Sequence, residues 1–170
     1  MYYGALEAGG TKMVCAIGDA DKNIIDRISI PTGTPDQSVP AMIDYFKKYD
    51  ISALGIGTFG PADINPNSPT YGSIMRSPKK DWEGFSLYKA FTDALGCLVV
   101  VDTDVNAAAW GEYLYGALKG LNSGMYLTVG TGIGGGIISD GRLIHGMEHP
   151  ETGHILIPRR TGDDIPCTCR

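Results

Sequence analysis

Leu127-Thr128-Val129-Gly130-Thr131-Gly132-Ile133-Gly134-Gly135-Gly136-Ile137-Ile138-Ser139-Asp140-Gly141 is the stretch that decides the fold. Gly130, Gly132 and Gly135 satisfy G-x-G-x-x-G, and Glu151 comes about 20 residues on, as a dinucleotide site would require. A Rossmann site also needs a helix after the glycines to receive the pyrophosphate. Here Gly136 to Ile138 reads as a strand and Ser139-Asp140-Gly141 as a turn, so the dinucleotide reading fails on context. Five glycines in seven residues cost too much backbone entropy to be spacer. The stretch therefore reads as a turn between two strands, Met125 to Val129 and Gly136 to Ile138, whose backbone N–H groups can cradle phosphate.

A second glycine turn lies about 120 residues upstream. Glu7-Ala8-Gly9-Gly10-Thr11-Lys12 nearly has P-loop spacing from Gly4, but Gly10 stands where the lysine belongs. The turn leads into a strand, not into the helix that a P-loop needs. Two readings stay open for it: an ordinary Gly-Gly hairpin, or a hairpin whose N–H groups and Thr11 hydroxyl touch a phosphate. Two such hairpins could grip one triphosphate from opposite sides, which suits a phosphoryl-transfer protein that mainly positions and neutralises.

The elements around these turns are mixed α/β. Tyr2 to Ala8, Thr11 to Ile17 and Ile24 to Ile30 read as three successive antiparallel strands. Val39, Met42, Ile43 and Phe46 have helical spacing. Pro40 is best tolerated in a first turn, which predicts a helix start at Ser38. A fourth strand is expected at Ala53 to Gly57. Residues 62 to 84 read as a long loop, with one strand near Tyr71 to Met75; loops of this length are often functional. Leu87 to Leu95 reads as a helix, Cys97 to Val101 as a fifth strand, Asp104 to Leu118 as a helix, and His154 to Ile157 as a last strand. The order β-β-β-α-β-α-β-α, then a new hairpin, is not strict βαβ alternation.

Composition narrows the function classes. Of 170 residues, 24 are glycine, about twice the usual share, with no collagen period. Eleven of them fall between Gly116 and Gly153, as expected where backbone must approach a ligand. The formal net charge is −5, and no basic run exceeds two residues, so a nucleic-acid partner is not expected. No apolar run approaches 18 residues, so no membrane span is expected. Neither a signal peptide nor an extracellular disulfide framework is visible: Cys15 and Cys97 lie alone in apolar runs and read as core thiols of a reducing compartment.

Two further groups carry chemistry. Asp102-Thr103-Asp104-Val105-Asn106 comes directly after the fifth strand. Asp102 or Asp104 could be an N-cap. Either could instead be a general base at a strand's carboxyl end, where α/β sheets bind ligands. Asn106 would then hydrogen-bond a polyhydroxyl substrate. Glu151-x-x-His154 has di-iron spacing, but Pro150 and Gly153 argue against the helix that motif needs. His154, Cys167 and Cys169 supply three of the four ligands that a structural zinc site wants.

Taken in order, Glu7-Ala8-Gly9-Gly10-Thr11-Lys12, Thr103-Asp104-Val105-Asn106-Ala107-Ala108-Ala109, Gly130-Thr131-Gly132-Ile133-Gly134-Gly135-Gly136 and Glu151-Thr152-Gly153-His154 resemble the ROK family of sugar kinases. Glu7, with His149-Pro150-Glu151-Thr152-Gly153-His154, looks most like its bacterial fructokinase branch. The resemblance covers nearly the whole chain. It implies an actin/hexokinase-like (ribonuclease-H-like) two-lobed fold, with residues 1–118 as the N-terminal lobe and 119–170 as the beginning of the second.

The resemblance also implies roles. Gly9, Gly10, Thr11 and Lys12, with Gly130, Thr131, Gly132 and Gly134, would hold the phosphates of ATP, accompanied by Mg²⁺ that Glu7 helps orient through water. Asp104 would be the base that deprotonates the sugar hydroxyl. Gly60, Pro61, Thr103, Asn106 and Glu151 would line the pocket of a hexose, fructose first. His154, Cys169 and Cys167 would belong to a structural Zn²⁺ site, with Cys167 a bystander if the ligands are Cys, His and Cys. A cytoplasmic homodimer is implied for a full-length relative. The 170 residues correspond to about half of such a kinase, so the chain alone is expected to lack activity. Within the same family a glucokinase, an aminosugar kinase, a sugar-responsive repressor or a non-catalytic sugar-binding fragment are the alternatives. The repressor needs a DNA-binding domain ahead of the first glycine turn, which here begins at Gly9.

Overall fold

The structure, a computed structural model, describes residues 1–77, 79–130, 132–146 and 150–165. Five strands form one sheet: β1 (Tyr2–Ala8), β2 (Lys12–Asp19), β3 (Ile24–Pro31), β4 (Ile51–Thr58) and β5 (Leu98–Thr103), in the order β3-β2-β1-β4-β5. The first three pair antiparallel, and β1, β4 and β5 run parallel. Helices α1 (Pro35–Phe46) and α2 (Leu87–Leu95) belong to this half. They pack on the sheet face carrying Leu6, Met13, Cys15, Leu54, Ile56, Val99 and Val101, with Phe46, Phe91 and Trp82 filling the layer between. Each such side chain contributes roughly 1.5–3 kcal/mol by leaving water. Helix α3 (Asp104–Tyr115) leads into a second, antiparallel sheet of β6 (Gly124–Val129), β7 (Ile133–Ser139) and β8 (Arg142–Leu143).

The register of the parallel strands positions the site. Ala8 pairs with Thr58, and Thr58 with Thr103. Strands β1, β4 and β5 therefore end side by side at their carboxyl ends. The first glycine turn, the Phe59–Pro61 segment and the start of α3 leave the sheet along one edge, and Phe59 donates its N–H to Ala8 O at 2.7 Å. Ligands of open parallel sheets bind outside that edge.

Several expectations are corrected. Helix α1 begins at Pro35, not Ser38, and holds Pro40 in its interior. Thr34 starts it: its extended backbone and the Gln37 side chain, which accepts the Thr34 N–H at 3.2 Å, supply the cap, and Pro35 pre-sets φ at the first position. Pro40 sits near enough to that end to forfeit a single backbone bond.

No strand forms at Tyr71 to Met75. Among the described residues only the bridges Ala62–Ile74 and Ser73–Ser86 occur there, because the loop folds on itself around Asp63. The Asp63 carboxylate accepts hydroxyls from Ser68 and Thr70 and the N–H of Asn65. The strand expected at His154 to Ile157 is absent too. Thr152–His154 is a 3-10 turn, and Ile155, Leu156 and Ile157 lie exposed with no strand beside them among the described residues. Strand β7 is longer than expected, since Ile133, Gly134 and Gly135 belong to it and not to the turn.

Candidate active site

The first turn is closed by the Gly9 N–H donating to Lys12 O at 3.0 Å. A Cβ on Gly9 would stand 2.6 Å from that oxygen, so glycine is needed for close approach. The second turn is closed by the Gly130 N–H donating to Gly132 O at 2.9 Å. Gly130 and Gly132 face open space, whereas Gly134 and Gly136 do not. A Cβ on Gly134 would meet Val105 Cγ1 at 3.0 Å, and one on Gly136 would collide with the Val105 carbonyl of α3. The run thus has two purposes. Its first two glycines bare the backbone at a tip, and its later ones let α3 lie directly on β7.

Helix α3 is capped by Thr103, whose Oγ1 accepts the Asn106 N–H at 3.2 Å; neither Asp102 nor Asp104 is the cap. Asp104 occupies the first helical position, and its Oδ1 accepts the Val105 N–H at 2.8 Å. Asp102 Oδ1 accepts from the Thr103 N–H at 2.7 Å and from Asn106 Nδ2 at 2.8 Å. Its Oδ2 lies 2.8 Å from His145 Nε2. Asn106 is fully buried, its Oδ1 has no hydrogen-bond partner among the described residues, and it is not among the described residues that line the cleft below.

A cleft of about 450 Å³ opens at this edge. It gathers Gly10 and Thr11 of the first turn, Gly130, Gly132 and Gly134 of the second, Gly60, Thr103, Asp104 and Glu151. Glu151 is carried in by the segment that packs on β7: Thr152 Oγ1 donates to Gly135 O at 3.1 Å, and a Cβ on Gly153 would strike the Ile133 carbonyl. Gly9, Lys12 and Pro61 stand outside the lining, beside residues that form it. Glu7 and Asp102 face a neighbouring cavity of about 710 Å³, which Asp104 also borders.

His154 Nδ1 lies 2.9 Å from Glu151 Oε2. Thr131, Cys167 and Cys169 lie outside the described residues, and among the described residues no three His, Cys, Asp or Glu side chains gather as a metal site.

Sequence reasoning missed Lys79 and Ser77, which line the same cleft from the long loop. Their signal was the loop itself, long and polar, carrying a lysine that no helical or strand pattern accounts for. Tyr71 pins that loop to β5: its hydroxyl donates to Val101 O at 2.9 Å and accepts the Val101 N–H at 2.8 Å. Burial pushes the Tyr71 phenol above its ordinary range.

The sequence profile of the ROK family matches residues 3–170. The chain belongs to the ROK family. A Bacillus subtilis (strain 168) protein is 49% identical over 162 residues, 95% of this chain and 54% of the relative. A fructokinase of Pediococcus pentosaceus is 43% identical over 169 residues, 99% of this chain and 59% of the relative. Among solved structures, a ROK glucokinase from Streptomyces griseus, in complex with glucose and AMPPNP, matches with a TM-score of 0.79 at 32% identity. That match covers 93% of this chain and 51% of the glucokinase. The fold is accordingly part of the actin/hexokinase-like architecture, and the chain spans about half the length of the curated relatives it matches.

Proposed function

We propose that this ROK chain comes from an ATP-dependent hexose kinase that phosphorylates the 6-hydroxyl of fructose. The observation that carries the reading is a cleft in which described residues of both glycine turns, Asp104 and Glu151 meet at the carboxyl edge of the sheet. The bare tip at Gly130 and Gly132 and the close-packed turn at Gly9 and Gly10 fit a polyphosphate gripped through backbone N–H groups. In this reading the sugar hydroxyl oxygen attacks the terminal phosphorus of ATP and its proton passes to Asp104. The bond from that phosphorus to the bridging oxygen breaks, and its electron pair leaves with ADP. Bound Mg²⁺ would supply charge neutralisation on the phosphates. The chain's own part is to orient and to accept the proton. Glu151, Gly60 and Thr103 would orient the hexose. Residues 1–118 and 119–170 would belong to two lobes on either side of it.

Fructose is preferred because relatives named fructokinase are 40–46% identical over at least 94% of this chain. A glucokinase is the second reading, favoured by the solved structure with glucose. The test is a coupled ADP-release assay of the protein from its complete reading frame, on a panel of fructose, glucose, mannose and aminosugars. Fructose is expected to give the highest kcat/KM. Asp104→Asn is expected to lower kcat by about 10²–10⁴-fold with sugar affinity retained, and near-normal turnover would reject Asp104 as the base.

A further inference from the structure

Lys79 is the lone cation among the described residues that line the cleft, which two carboxylates, Asp104 and Glu151, also line. It pairs with no carboxylate among the described residues, although the chain holds 19 acidic residues. Its backbone is fixed. The Lys79 N–H donates to Ser77 Oγ at 3.1 Å, the Trp82 N–H donates to Lys79 O at 3.0 Å, and Ser77 is buried. Trp82 anchors this corner: it is buried, donates Nε1 to Gly33 O at 2.9 Å and packs edge-on to Phe59 with ring centroids 5.8 Å apart. The Lys79 stem lies over the first glycine turn, with Cε 3.5 Å from where a Gly10 Cβ would stand. A long, charged side chain thus lies over the first glycine turn in the cleft that Asp104 also lines, with no described carboxylate paired to it.

Phosphoryl transfer spreads negative charge over three oxygens, and a cation placed beforehand at that point stabilises the transition state. We propose that Lys79 is a catalytic residue that contacts the transferring phosphoryl group between the Gly10-Thr11 turn and Asp104. This rests on the kinase reading. It assigns to the loop of residues 62–84 a direct part in the chemistry.

The test uses the protein from its complete reading frame, with Lys79→Met and Lys79→Arg variants checked for an unchanged thermal midpoint. Binding of AMPPNP and of ADP is measured by calorimetry beside sugar kinetics. Lys79→Met is expected to lower kcat by about 10²–10³-fold, leave the sugar KM within about threefold, and weaken AMPPNP at least about tenfold while ADP changes little. Lys79→Arg is expected to recover part of both, since charge returns in a different shape. A Lys79→Met enzyme with near-normal kcat overturns the proposal and leaves the kinase reading standing. So does equal weakening of AMPPNP and ADP. If the wild-type protein binds AMPPNP but phosphorylates no hexose, the kinase reading falls, and the AMPPNP-to-ADP ratio still decides whether Lys79 meets the terminal phosphate. If it binds neither nucleotide, both fall. Should Lys79→Met fail to fold, Lys79→Gln serves the same comparison.

Discussion

Cys15 sits in the core with no exposed surface, and burial pushes its thiol up from an ordinary 9.0 to about 12. Below pH 9 the thiol is neutral in both folded and unfolded chains and does not affect stability. Between about pH 9 and 12 the unfolded chain ionises and the folded one does not, so stability falls as pH rises through that window. At pH 10.5 the loss is about 2 kcal/mol. Urea unfolding at pH 8 and pH 10.5 is expected to show this loss in the wild type and a smaller one in Cys15→Ala; equal losses would contradict it. The comparison between variants matters because burial also pushes the Tyr45 phenol up, so Tyr45 too costs stability as pH rises and Cys15→Ala separates the two. At this scale the sequence is informative about chemistry and silent about geometry. Asp102 and Asp104 are both legible as base candidates from their place after a strand, and only the family resemblance singles out Asp104. Which of Asp102, Thr103 and Asp104 caps the helix is not legible, since Asp and Thr both cap well and only φ, ψ and Oγ1 reach select Thr103. Lys79 stays hidden because a loop has no periodicity from which a side chain's direction can be read.

The glycine run is the element that sequence and structure read differently. Strand β7 absorbs Gly134 and Gly135 as well as Gly136, and at Gly134 and Gly136 α3 approaches so closely that side chains there would displace it. Sequence patterning marks a glycine as special without saying whether a ligand or a neighbouring helix is the reason. Substitution separates the reasons. Gly136→Ala is expected to destabilise the protein by about 1–3 kcal/mol, because its methyl meets the rigid Val105 carbonyl and the Ala109 methyl. Gly132→Ala, with nothing within 4 Å of the added carbon, is expected to leave stability within about 0.5 kcal/mol. It should nevertheless weaken nucleotide binding if the tip holds phosphate. Thermal melts with and without AMPPNP read both effects. Helix α1 shows the opposite failure of patterning. Pro40 has the look of a boundary, yet Thr34, Pro35 and Gln37 together form a start strong enough to carry the helix through it. Strands β1 to β5, by contrast, are legible to within a few residues, because alternating or continuous apolar runs bounded by turns leave few other ways to bury them.

The molecule as a whole exposes more surface than its mass accounts for. A compact monomer of 18.1 kDa has an accessible surface of about 8,100 Å², against 10768 Å² here. Large apolar side chains on both sheets are among the exposed residues. Leu98 is 67% exposed and Val100 53%; on the second sheet Leu127 is 56% and Val129 78%. These residues alternate along β5 and β6 with the period of a strand face meant to be covered. The buried face of the first sheet is complete, so these 170 residues can hold a fold. Among the described residues the second sheet has three strands, with helix α3 and the Thr152–His154 turn against it, and Pro150, Glu151 and Thr152 of the segment after β8 line the cleft. Phosphoryl transfer needs reacting atoms held in near-attack geometry, and misplacement by about 1 Å can cost about 10²-fold. The 170 residues expressed alone are therefore expected to bind a dye for exposed apolar surface and to turn over hexose and ATP at no measurable rate. The protein from its complete reading frame is expected to bind little dye and to be active. Turnover by the isolated 170 residues at even a hundredth of that rate would mean that this cleft is sufficient for catalysis, and that the uncovered faces of β5 and β6 serve some other contact.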